Sequence, residues 1–155
     1  MAANSAVRVY VPATWDSLAA LADLTPAAQI PTGGRGFAVT HPVREVDPDG
    51  DDEVWEFAAF CDAADASRTM LGGAVRPRRV VLSLDLDAGL VHPVGDSSAV
   101  ELPALAPATA LVAVHVDGEG AEAAVSSVLA GAPVDALDDV ALEWYLPGEV
   151  ADLLG

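Results

Sequence analysis

Residues Val7 to Val11 (Val-Arg-Val-Tyr-Val) alternate apolar and polar side chains with a period of two, which predicts a β-strand that Pro12 ends. The pattern then changes to helical spacing. Thr14 is a good N-cap, Asp16 sits in the first turn where the helix dipole favours negative charge, and Leu18, Leu21 and Ala22 form an apolar stripe before Pro26. Phe37, Val39 and His41 return to period two and predict a second strand closed by Pro42. Asp47 to Glu53 is an acidic loop leading into the longest predicted helix, which runs to about Leu71 with Gly72-Gly73 as its cap. On that helix Val54, Phe57, Cys61, Ala64 and Leu71 fall at helical spacing and predict the face buried on a sheet, widened by Trp55 and Phe60.

Arg79 to Asp87 alternates again, with Val80, Leu82, Leu84 and Leu86 on one face and Val81, Ser83, Asp85 and Asp87 on the other. Ala88-Gly89, the stretch Leu90 to Val94, the turn at Asp96-Ser97-Ser98, and Val100 with Leu102 predict an antiparallel meander. Thr109 to Val116 is apolar on both faces, as a central strand would be. A helix carrying Ala121, Val125, Val128 and Leu129 follows, ended by Gly131 and Pro133. A last strand over Val140 to Leu146 should point Val140, Leu142 and Trp144 inward, and Pro147 opens a short closing helix. The order β-α-β-α-β-β-β-β-α-β-α predicts an α+β (mixed α/β) domain: a single mixed sheet with a central meander, packed by about three to four helices. Residues 1–6 are expected to be a disordered extension and residues 7–155 one globular domain.

Composition narrows the partners. The chain has no lysine; seven arginines stand against 24 acidic residues, a formal net charge of −17 on 155 residues. Such a polyanion is repelled by phosphate backbones and anionic membranes, so neither nucleic acid nor a membrane surface is an expected partner. A hydrophobic fraction of 52% argues for a folded core. The single cysteine, Cys61, cannot form an internal disulfide, no apolar run is long enough to span a bilayer, and the first residues lack the features of a secretory signal. These observations predict a cytoplasmic protein. One Asn and one Ile accompany the missing lysine, a bias that GC-rich coding explains better than salt adaptation.

Candidate chemistry is sparse. In Asp47–Glu53 the glycine comes fourth and no distal Glu follows in register, so the loop does not meet the EF-hand pattern. His41, His92 and His115 are 51 and 23 residues apart and match no zinc spacing. Cys61 is expected to be a buried small hydrophobe. Arg76, Arg78 and Arg79, the one basic cluster, are expected to form surface ion pairs. No phosphate-binding loop, dinucleotide fingerprint or nucleophile elbow occurs, and no cofactor is expected. The best constellation is His115 with Asp117, placed by period two on one face at the end of the most apolar strand. His41 would join them if its strand ran parallel to that one, and Thr14 with the first helix would lie at the same edge.

The opening Arg8-Val9-Tyr10-Val11-Pro12-Ala13-Thr14, with Leu18 and Leu21, resembles the start of a family of small acidic actinobacterial proteins of unknown function. The likeness extends through Glu56, Ala58, Ala59, Ala63, Ala64, Ser67 and Leu71, Arg78 to Val81, Val114 to Asp117, and Trp144-Tyr145 with Glu149 and Leu153-Leu154. The family's initiator methionine would fall at Val7. The resemblance implies an actinobacterial, cytoplasmic protein and carries no activity. The leading expectation is therefore a non-catalytic domain that binds a protein partner or forms a homo-oligomer. The alternative is a small-molecule-binding protein or small enzyme using a strand-end pocket around His41, His115, Asp117 and Thr14.

Overall fold

The computed structural model describes residues 5–155. Residues 1–4 of the expected N-terminal extension lie outside the described residues, and Ala6 already belongs to the first strand. β1 (Ala6–Thr14) is followed by a 3-10 turn over Trp15–Leu21. Next come β2 (Gln29–Pro31), β3 (Arg35–Phe37), α1 (His41–Val46) and the long α2 (Asp52–Thr69). The middle of the chain forms β4 (Arg79–Asp87), β5 (His92–Pro93), β6 (Ala99–Glu101), β7 (Leu105–Pro107) and β8 (Leu111–Asp117). α3 (Glu122–Leu129), β9 (Leu142–Tyr145) and α4 (Val150–Leu154) complete it.

The fold is α+β, as expected. Seven strands form one sheet in the order β5-β6-β3-β1-β4-β8-β9, and β2 pairs with β7 in a small second sheet. Two details differ from expectation. Every ladder among the described residues is antiparallel, so the sheet is not mixed. The stretch after β4 does not form a contiguous meander either: the β5–β6 hairpin crosses to the far edge and pairs with β3. Gly36 permits that docking, because a Cβ there would lie 2.8 Å from the Leu102 side chain and 3.1 Å from the Tyr10 carbonyl. Local alternation makes strands but does not say which neighbour a hairpin joins.

β1 also continues past Pro12, which pairs in register with Val81. β3 meets β1 through Tyr10↔Phe37, so at Pro12 the other side of β1 is open and a missing N–H costs no ladder bond.

The main core lies on one face of the sheet. Val9, Val11, Leu82, Leu84, Val114 and Val116 pack there against Leu18, Leu21, Ile30 and Val150. Each fully buried side chain of this kind stabilises the fold by about 1.5–3 kcal/mol. The opposite face is covered by α2, which crosses β3, β1 and β4. Here the buried stripe is Ala59, Ala63, Ala64 and Ser67, set on Tyr10 and Val81; of the expected face Ala64 is in it and Leu71 is buried just beyond the helix, while Val54, Phe57 and Cys61 are exposed. Small side chains let the helix lie close to the strands. The Ser67 hydroxyl fixes it there, donating to the Ala13 carbonyl (2.6 Å) and accepting from the Val80 amide (2.9 Å).

Candidate functional site: a groove beside the long helix

Because α2 is seated through its alanines, its large apolar residues point sideways. Phe57, Phe60, Cys61, Ala64, Asp65 and Arg68 recur at i, i+3, i+4, i+7, i+8 and i+11, a stripe about a third of a turn round from the buried one. This stripe forms one wall of a cleft of about 670 Å³. The opposite wall is the segment from Val134 to Leu142, and the floor includes His115 of β8. Towards the N-terminal end of α2 a shallower cleft of about 370 Å³ continues past Phe57 and Phe60 to Ala113, Ser83 and Trp144. Together they form a groove along α2, over the strip of β8 and β9 that the helix leaves bare. Phe57 to Arg68 is twelve residues, a rise of about 16 Å along the helix.

The groove is aromatic and open. Phe57 is 65% exposed and Trp144 58% exposed. Phe57 stacks on Phe60, with ring centroids 6.5 Å apart, and Phe60 in turn meets Tyr10 and His115 edge to face at 5.7 and 4.8 Å. Trp144 does share a face with Leu142, as alternation predicted, but β9 is the sheet edge, and while Leu142 is partly buried against the α2-side core, Trp144 stays exposed.

The sequence-derived candidates fall as follows. His115 and Asp117 do share the α2-side face. His115 lines the groove, its Nε2 2.8 Å from the Ser83 hydroxyl. Burial, reinforced by the Arg8 charge, lowers its pKa from 6.5 to about 4, so the ring is neutral at pH 7. Asp117 is 1% exposed and fully engaged with Arg79. Thr14 lies at the same end of the sheet, paired in register with Arg79. Its hydroxyl caps the 3-10 turn by accepting from the Ser17 amide.

His41 does not join them. β3 is antiparallel to β1, β1 to β4 and β4 to β8, so β3 and β8 run in opposite directions and the parallel condition fails. Moreover His41 begins α1 instead of ending a strand. There it faces solvent and pairs with Glu45 at 2.7 Å, and it lines neither cleft.

Two further expectations are corrected. Cys61 is exposed on the groove wall, and partial desolvation of the thiol together with Asp62 raises its pKa, which keeps it protonated. Arg78 and Arg79 are buried, not surface residues. Arg78 pairs with Glu122 at 2.7 Å and lies over the Trp15 ring at 4.3 Å, while Arg79 holds Asp117. Sequence inspection missed the groove itself. Its signal was a second stripe on α2, Ala59-Ala63-Ser67 at four-residue spacing, which competes with the aromatic stripe for the sheet.

Among the described residues no group of three or more His, Cys, Asp and Glu side chains is arranged to hold a metal ion. No described helix is long and apolar enough to cross a membrane. No curated protein and no solved structure matches the chain. Residues 7–154 match a family model, and the chain therefore belongs to the family of unknown function DUF6912.

Proposed function

We propose that this chain is a non-catalytic binding domain whose groove beside α2 receives an apolar segment of a partner protein. The observation that carries this is the outward-facing stripe of α2, with exposed Phe57 at its head and Trp144 across from it over a bare strip of sheet. Helix-in-groove docking lays an apolar helix face into a groove of this shape. The chemistry of the groove supports the same conclusion. Ser83 is bonded to the neutral His115 ring but is 2% exposed, which keeps its hydroxyl out of a ligand's reach; the Cys61 thiol is protonated, and Arg8, Arg68 and Arg79 are each bonded to an aspartate.

Selection of random 16-residue peptides on the immobilised protein tests it. Binders are expected to carry apolar residues at i, i+3 or i+4, and i+7, and to lose binding to a Phe57→Ala/Trp144→Ala variant that keeps its melting temperature. Enrichment that survives the double substitution, or no enrichment, contradicts the proposal.

The rival is a small-molecule site, favoured by the size and mainly apolar lining of the larger cleft. A metabolite that raises the melting temperature of the parent protein but not of His115→Ala would establish that rival.

A further inference from the structure

We infer that the occupant of this groove is a cationic amphipathic helix of a partner protein, an inference that rests on the groove being a docking site. Charge complementarity carries it. The three guanidiniums of the groove are each neutralised in place: Arg8 by Asp85, Arg68 by Asp65 and Arg79 by Asp117. Four lining carboxylates are left over. Glu53 and Glu56 stand at the N-terminal end of α2, and Asp138 and Asp139 stand on the far wall. Among the described residues none of these four has an ion-pair partner. The groove is thus apolar along its length and anionic at its margins, on a chain of net charge −17.

Shape selects a helix. The wall is three turns long, and a second helix laid beside α2 at the usual interaxial distance of about 8–10 Å would cover the bare β8–β9 strip as α2 covers β3, β1 and β4. Its apolar face would meet Phe57, Phe60, Val134 and Leu142. Lys or Arg side chains flanking that face would reach Glu53 and Glu56 at one margin and Asp138 and Asp139 at the other. A second copy of this chain is the wrong occupant, because it brings another −17 against the same anionic margins.

The test uses three fluorescently labelled 16-residue helical peptides with one shared Leu/Phe face and a polar face of Lys and Arg, of Gln and Ser, or of Glu. Anisotropy is expected to show the cationic peptide binding at least tenfold more tightly than the neutral one, and the acidic peptide not at all. Asp138→Asn/Asp139→Asn should weaken the cationic peptide several-fold, whereas Asp23→Asn/Asp96→Asn, an equal charge change away from the groove, should not. Phe57→Ala should weaken the cationic and neutral peptides together.

Equal binding of cationic and neutral peptides, both sensitive to Phe57→Ala, overturns the cationic partner and leaves the docking groove standing. Cationic binding indifferent to Phe57→Ala and equally reduced by both aspartate pairs is diffuse attraction to a polyanion and overturns the inference. Binding by none of the peptides overturns the groove as well. A concentration-dependent dimer dissociated by Phe57→Ala overturns the heterologous partner in favour of a second copy.

Discussion

The Arg79 main-chain amide and Nε both donate to Asp117 Oδ2 at 2.8 Å, and Arg79 Nη2 donates to Asp117 Oδ1 at 2.9 Å. The same Nη2 reaches the Val140 carbonyl at 2.8 Å, so this buried pair ties β4 to β8 and also anchors the far wall of the groove. Removing one partner strands a charge away from water. Asp117→Ala is expected to cost about 3–5 kcal/mol in urea denaturation, and the matched pair Arg79→Met/Asp117→Leu much less. Equal losses for the single and the double variant would show that stranded charge is not the cause.

Ser67 makes a smaller link of the same kind between α2 and the sheet. In Ser67→Ala the Val80 amide loses its acceptor in a fully buried position. A loss of about 1–3 kcal/mol is expected, read from the denaturation midpoint. A loss within error of zero would mean that the alanine stripe alone seats the helix.

His115 gives the protein a pH-dependent term. Its folded pKa, about 4, lies below its ordinary value of 6.5, so between these values the unfolded chain binds the extra proton. Stability from this group is complete above about pH 6.5 and is lost as pH falls towards 4. His115→Gln keeps a partner for the Ser83 hydroxyl and should flatten the pH dependence in that window. Parallel pH–stability curves for the two proteins would refute this, as would a ring that titrates near 6.5 by NMR.

The charge of −17 opposes compaction throughout. Moderate NaCl is expected to raise the melting temperature, through screening over about 10 Å at 0.1 M. A flat or falling melting temperature would count against it.

Much of the fold was legible in local pattern. Alternation placed β1 and β4 and sorted Val80, Leu82, Leu84 and Leu86 from Val81, Ser83 and Asp85. Thr14 was legible as a cap and Gly131 as a stop. Sheet order was not, because the partner of β6 is decided by a long-range contact at Gly36. The strand-end constellation was half legible. Period two put His115 and Asp117 on one face, but the placement of His41 depended on a strand direction that only the whole topology fixes. The groove was hidden for a different reason. Hydrophobicity favours Phe57 and Cys61 over Ala59 and Ser67 as the buried stripe of α2, whereas close packing on a sheet favours the small residues.

The groove is tested most directly by titrating isotope-labelled protein with the cationic amphipathic peptide and following amide shifts. Saturable changes confined to 53–68, 112–115, 134–142 and the Trp144 indole are expected. Shifts centred on the opposite face around Leu18 and Val150, or scattered over the acidic surface without saturation, would contradict a docking site beside α2.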